Sequence, residues 1–281
     1  MPRILFILSA FLMGISQQPW GLGFFAWFSF VPCIYFFNYI NNLRKIIGYA
    51  FLWGFIYHIS FLYWLSGNIG IDSIILKYFT MLLVSSFLAL NIIIIFVCYF
   101  LFKKYCYHKY HFYALPLIVV SVEFLRSFGL YGFTWNSFSY SQSDYLLISQ
   151  NIEYTGIYGL SFWIVFINVS IYTLIKQFSK IKVYILIMSF LFPWVTGFII
   201  KSSVVEFSSY IQAKIIQPNI TLNEKRENIN ASLSKLINLS TLSSNDSIDL
   251  IVWPESSISN RFLRNGNYNN NLSLDMNKYL I

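Results

Sequence analysis

Apolar residues fill the first 200 positions in blocks longer than an ordinary core helix requires. A helix needs about 20 predominantly apolar residues to cross a bilayer. Seven runs approach that length: 4–16, 22–40, 46–65, 74–102, 112–128, 157–175 and 183–200. The first is short and follows Arg3, as a signal-peptide core would. No small-x-small cleavage site follows it, and a second apolar run comes at once, so it is expected to stay as the first of seven spans. The pattern changes near residue 205. YIQAKIIQPNI (210–220) alternates, then runs apolar up to Pro218-Asn219, which predicts a strand. Leu222, Ile229, Leu233, Leu236, Ile237 and Leu242 recur at roughly helical spacing. Residues 243–246 read as a turn, Ile248–Trp253 as a short buried strand, and the Asn-rich stretch 265–271 as a loop. The expected architecture is a multi-pass α-helical membrane bundle over residues 1–204, followed by an extracytoplasmic α/β domain that opens β-α-β over residues 205–281.

Composition agrees with the pattern. Only 11% of the 281 residues are charged, against about 25% in a soluble domain, and 57% are hydrophobic. The net charge of +8 belongs wholly to the membrane part. Residues 1–201 hold 12 Lys+Arg and 4 Asp+Glu, a difference of +8; residues 202–281 hold 7 of each. A basic chain often binds nucleic acid, but here the cations sit in short loops between apolar spans, which excludes that class. Cytoplasmic loops concentrate Lys and Arg. With the N-terminus inside, the inner segments carry Arg3, Arg44, Lys45, Lys103, Lys104, Lys109, Lys176, Lys180 and Lys182 and no acid. The outer flanks mix Lys77, Arg126 and Lys201 with Asp72, Asp144 and Glu153. Seven spans from an inside start place the polar tail outside the cytoplasm, in the periplasm of a Gram-negative cell.

Four features could carry chemistry. Glu255, in IDLIVWPESSIS (248–259), lies just past a strand end. Open α/β sheets place ligand sites at the carboxyl ends of their strands, and a carboxylate held there can act as a general base. Pro254 before it fixes the backbone and donates no hydrogen bond. The alternative is a surface acid that caps a following helix. Glu123 and Arg126, three apart on one helix face, are ionisable residues in a span, which marks a functional site by default; the alternative is a structural ion pair near the outer surface. The aromatic run Tyr131, Phe133, Trp135, Phe138 and Tyr140 suits the membrane interface and could border a lipid-binding site. Cys106-x-His108-x-x-His111 has ligand-like residues but no carboxylate nearby, so no metal is expected there. Cys33, Cys98 and Cys106 have neither disulfide-framework nor zinc-knuckle spacing and read as packing residues in helices.

Five blocks, in order, resemble the apolipoprotein N-acyltransferases, bacterial inner-membrane enzymes with a nitrilase-like (carbon–nitrogen hydrolase) domain. GYAFLWGFIYHISFLYWL (48–65) is similar to the family's third span. VEFLRSFGLYGFTWNSFSYSQ (122–142) is similar to its Glu-x-Leu-Arg…Gly-Phe-x-Trp…Tyr-Ser-Gln segment, and TGIYGLSFWIVFINVSIY (155–172) to its Gly-x-Tyr-Gly-x-Ser-Phe helix. IIQPNI (215–220) and DLIVWPESSI (249–258) resemble the first two strands of the nitrilase-like domain. The resemblance implies transfer of a fatty acyl chain from a phospholipid to the N-terminal diacylglyceryl-cysteine amine of a lipoprotein, with no cofactor and no metal. It implies a Glu-Lys-Cys set in which Cys forms a thioester, Lys stabilises the oxyanion and Glu, here Glu255, is the base. Trp253, Glu123 and Arg126 are possible supporting residues.

The departures are specific. No Cys follows Cys106, Lys278 stands too close to Glu255 for the family's spacing, Arg226 falls where a Trp is usual, and the Pro after the Glu motif is replaced around Ser259. The chain is therefore expected to be a C-terminally shortened N-acyltransferase, inactive alone. The alternative is a degenerate, non-catalytic membrane protein that binds lipid or lipoprotein.

Overall fold

The computed structural model describes residues 3–68, 70–106, 111–128, 132–203, 210–221, 224, 229–242, 248–255 and 257. It divides into two units, Met1–Val204 and Val205–Ile281. Tyr131, His108, Arg226, Ser259, Lys278, the turn at 243–246 and the loop at 265–271 lie outside the described residues.

The first unit is helical. In chain order it contains α1 (Arg3–Ile15), α2 (Ala26–Ser29), α3 (Val31–Asn38), α4 (Leu43–Phe61), α5 (Ile74–Tyr105), α6 (Leu115–Arg126), α7 (Leu146–Ser149), α8 (Ile152–Lys176) and α9 (Lys180–Ser202). Four stretches are long and apolar enough to cross a membrane: Leu43–Gly67, Ile74–Tyr105, Ile152–Lys176 and Lys180–Ser202. The other three apolar runs are also helical but shorter. α1 has 13 residues, about 20 Å at 1.5 Å per residue. The run 22–40 is not one helix: a 3₁₀ turn at Gly23–Phe25 leads into α2, and the chain turns at Phe30 before Pro32 opens α3. Helix starts follow local chemistry. Asn42 caps α4 by accepting from Lys45 N–H at 3.2 Å, and Ser73 caps α5 by accepting from Leu76 N–H at 3.4 Å. Gly156, at φ 63°, kinks α8 one residue before the apolar run read at 157–175.

α4 packs along both α5 and α1, α6 along α8, and α7 against α9. Lipid offers little hydrophobic drive between helices, so small residues that let backbones approach matter most. A methyl group on Gly54 would stand 3.0 Å from Ile92 Cβ, and one on Gly197 would collide with the Leu147 carbonyl. The core is a continuous aromatic and aliphatic cluster that includes Trp27, Phe30, Phe37, Trp53, Tyr57 and Phe96; Phe37 and Phe96 stack at 3.8 Å. Outward faces remain apolar. Ile75, Phe79, Leu83, Phe87 and Ile94 are exposed on α5, as are Tyr184, Met188, Leu191, Val195 and Phe198 on α9. Helices of this length and composition present such faces to acyl chains.

The second unit holds β1 (Ala213–Ile215), α10 (Ile229–Thr241) and β2 (Leu250–Val252). The strands are parallel, with Ala213 opposite Leu250, Lys214 opposite Ile251 and Ile215 opposite Val252. The β-α-β order thus forms a parallel pair, as a helical crossover between neighbouring strands allows. The strand read over 210–220 narrows to three residues. The one read as buried over 248–253 is half-exposed: Ile215, Leu250 and Val252 face outward, because among the described residues α10 is the element available to cover this two-stranded sheet. Ile216, Leu233 and Leu236 form its small buried core.

Candidate active site

Glu255 stands in the turn that follows β2 and is exposed. Two side chains fix the elements around it. The Trp253 indole N–H donates to Ser240 Oγ at 2.9 Å, tying the end of β2 to α10. Lys214 Nζ donates to the carbonyls of Ser240, at 3.0 Å, and Leu242, so its charge meets the C-terminal end of the helix, where cations are favoured. Ile216 N–H donates to the Val252 carbonyl at 2.9 Å and extends the pairing to the strand ends. There the chain after β1 turns at Asn219, which takes φ 48°. Glu255, Gln217, Asn219, Ser232 and Leu236 line a hollow of about 280 Å³. A carboxylate in a hollow at the carboxyl ends of parallel strands is placed to accept a proton from a bound group. Gln217, Asn219 and Ser232 were not singled out in the sequence; Pro218-Asn219 had marked only the end of a strand.

Glu123 and Arg126 belong to the first unit. Glu123 is 4% exposed. Its Oε1 accepts from Phe138 N–H at 2.9 Å, while Oε2 has no partner among the described residues. Arg126 Nη2 donates to Ser137 Oγ at 3.4 Å, and its Nε has no partner among the described residues. The expected ion pair is therefore not a closed hydrogen-bonded pair. Both side chains reach the irregular segment 132–142, whose residues Asn136 to Ser139 are buried.

Buried irregular backbone is tolerated only when its polar groups find partners in the protein. Here they do. Tyr57 Oη donates to the Asn136 carbonyl at 2.9 Å, Gln17 Nε2 to the Ser137 carbonyl at 3.4 Å, and Ser139 N–H to Ser161 Oγ at 3.0 Å. His58 is wholly buried. Its Nδ1 lies 2.6 Å from the Gly54 carbonyl and its Nε2 2.5 Å from Asn136 Nδ2. Since the carbonyl can only accept, Nδ1 carries the proton and Nε2 accepts from the amide. Gln142 closes the far end by donating to the Gly23 carbonyl at 2.8 Å and accepting from Trp27 Nε1 at 3.1 Å. Asn168 does the same for the break between α2 and α3, accepting from Phe30 N–H at 3.0 Å and donating to the Ala26 carbonyl at 2.8 Å.

Residues 9–170, which include every member of this network, match the family model described as the apolipoprotein N-acyltransferase N-terminal domain. The chain belongs to the apolipoprotein N-acyltransferase family. Among N-acyltransferase relatives, it is similar to the apolipoprotein N-acyltransferase of Rickettsia bellii (32% identity, over 75% of this chain and 43% of the relative). It is similar also to that of Rickettsia typhi (27%, over 88% and 51%) and of Chlorobaculum tepidum (24%, over 92% and 49%). The chain thus spans about half the length of the curated N-acyltransferases it matches. Gln17, Tyr57, His58, Asn136 and Asn168 were not singled out from the sequence, although all but Gln17 lie within blocks that carry the N-acyltransferase resemblance. The signal available was a polar residue inside an apolar run. Of the Cys106-His108-His111 trio, Cys106 is exposed at the end of α5. Among the described residues no group of three or more His, Cys, Asp or Glu side chains gathers as a metal site.

Proposed function

We propose that this chain supplies the membrane unit and the general-base strand of an apolipoprotein N-acyltransferase. In this reading the reaction moves a fatty acyl chain from a phospholipid to the N-terminal amine of a diacylglyceryl lipoprotein through a Cys thioester. Residues 205–281 are the opening part of a nitrilase-like α/β domain. The observation that carries the assignment of Glu255 is its place at the carboxyl end of a parallel strand pair, in a hollow shared with Gln217 and Asn219. Trp253 acts as its positioning residue through Ser240. The membrane unit crosses the bacterial inner membrane seven times from a cytoplasmic N-terminus, which the alternation of basic loops supports, and residues 205–281 lie in the periplasm.

The 281 residues contain no Cys after Cys106, so the thiol nucleophile is absent from the second unit. The purified chain is expected to form no acyl-thioester with a radiolabelled phospholipid; a hydroxylamine-sensitive labelled band would overturn this account. The role of Glu255 is tested in a chimera that joins residues 1–255 to the remaining half of the Rickettsia bellii relative. Glu255→Gln should lower acyl transfer by about 10²–10⁴-fold, the usual contribution of a positioned general base. Unchanged transfer would remove Glu255 from the chemistry.

A further inference from the structure

Two segments that each follow a strand wall the hollow beside Glu255. Residues 217–220 come after β1, and Pro254, Glu255 and Ser257 come after β2. The strands run parallel with Ile215 opposite Val252. Asn219 and Glu255 therefore stand four and three residues beyond that pair, at the same end of the sheet. α10 closes the hollow with Ser232 and Leu236.

Asn219 differs from the rest of the wall in its backbone. Its φ is 48°, and among the described residues it is the only non-glycine residue with a positive φ. The other polar wall residues, Gln217, Ser232 and Ser257, keep ordinary negative φ. Glycine enters the left-handed region at no steric cost, whereas asparagine enters it with a penalty smaller than that of most side chains. A turn alone would be served at least as well by glycine. Non-glycine residues held in such a conformation cluster at functional sites, where the position of the side chain matters.

The Asn219 side chain is a carboxamide on the hollow that it shares with Glu255. Among the described residues, neither this carboxamide nor the Glu255 carboxylate has another hydrogen-bond partner. A carboxylate can only accept, and a carboxamide supplies two N–H donors. A general base acts only when it is held within reach of the proton it takes, and such a base is commonly oriented by a further group. We propose that Asn219 is a positioning residue whose side-chain N–H donates to the Glu255 carboxylate and holds it toward the hollow. This role rests on the reading of Glu255 as the general base, and the two fail in different ways.

The contact is tested in the full chain in maltoside micelles, with isotope-labelled asparagine. The side-chain NMR signal that Asn219→Gly removes belongs to Asn219. Glu255→Gln should shift that signal; an unmoved signal would overturn the proposal. The Ile216 amide, which donates to the Val252 carbonyl, should exchange with solvent equally slowly in Asn219→Gly, showing the strand pair intact.

The role is tested by acyl transfer in the chimera of residues 1–255 with the remaining half of the Rickettsia bellii relative. Asn219→Gly keeps the left-handed backbone and removes the amide. Asn219→Ala loses both. Asn219→Asp keeps the shape, offers no N–H and sets a second anion beside Glu255. A role in the turn alone predicts Gly at least as active as Asn, Asp close behind and Ala lowest. The positioning role predicts that kcat falls about tenfold or more for Gly and Ala alike, the range of one hydrogen bond to a charged group, with KM changed by less than about twofold. Asp should fall further. Transfer by Asn219→Gly equal to that of the unsubstituted chimera, with Glu255→Gln impaired, would overturn the role of Asn219 and leave that of Glu255 standing. Normal transfer by Glu255→Gln would overturn both.

Discussion

Single side chains in the helical unit act mainly as hydrogen-bond partners for backbone that has left the helix. Glu123 shows why such a residue tolerates no truncation. Glu123→Ala would strand the buried Phe138 N–H, at a cost of about 1–3 kcal/mol. Glu123→Gln, which keeps an acceptor oxygen, should cost less. The midpoint of unfolding on titration of dodecyl sulfate into maltoside-solubilised protein measures both. His58→Leu should cost about 1–3 kcal/mol in the same assay, because Asn136 Nδ2 would lose its buried acceptor; a neutral result would show that water replaces the imidazole. In the second unit Thr221 and Glu224 bond reciprocally. Thr221 N–H donates to Glu224 Oε2 at 2.8 Å and Glu224 N–H to Thr221 Oγ1 at 3.3 Å, a capping box. These hydrogen bonds, the Thr221 backbone N–H first, hold the Glu224 carboxyl below the usual range. A carboxyl depressed in the folded state stabilises it above the unfolded pKa, about 4.3, and loses that contribution as pH falls through the folded value. The Thr221 amide should therefore exchange with solvent faster, beyond the intrinsic pH effect, as pH falls through the folded carboxyl's depressed value, and Glu224→Gln should abolish this pH dependence.

Helix pairs are set by where small residues allow contact. Gly54 and Gly48 lie on the same helix in different surroundings: a methyl on Gly54 would press on Ile92, and one on Gly48 would meet nothing within 4 Å. Gly54→Val should destabilise the chain by about 1–3 kcal/mol through overpacking of α4 on α5. Gly48→Ala should be neutral or stabilise by up to about 1 kcal/mol through helix propensity. Equal effects in the unfolding assay would contradict the packing described. The long helices were readable from the sequence because each is a continuous apolar run; α5 at Ile74–Tyr105 and α9 at Lys180–Ser202 fall where such runs were found, whereas the four-residue α7 was not read. The break inside 22–40 had one signal, Pro32, which interrupts a helix interior, but the apolar run was read straight through it. It survives because Asn168, more than a hundred residues away, satisfies the freed groups. β1 and β2 were read at the right places but as longer than they are, and β2 as more buried, because strand burial depends on what covers the sheet.

At the scale of the whole molecule, the order of membrane unit and α/β unit is a matter of composition, and the side of the membrane is a matter of charge. Alkaline phosphatase fused after Ser203 should be active and one fused after Gln177 inactive; the opposite pair of results would reverse the proposed topology. The sequence by itself determined where the long apolar helices lie, that two strands with a helix between them follow, and which acid comes after the second strand. Those properties are local, arising from runs of apolar residues, periodicity and a short motif. Only the tertiary structure decided that Glu123 and Arg126 reach the segment 132–142, that the sheet is parallel, and that His58, Tyr57 and Gln17 converge on residues 136–138. That convergence depends on contacts between residues 40 to 120 positions apart in the chain, and a buried polar group acquires its meaning from the partner that folding brings to it.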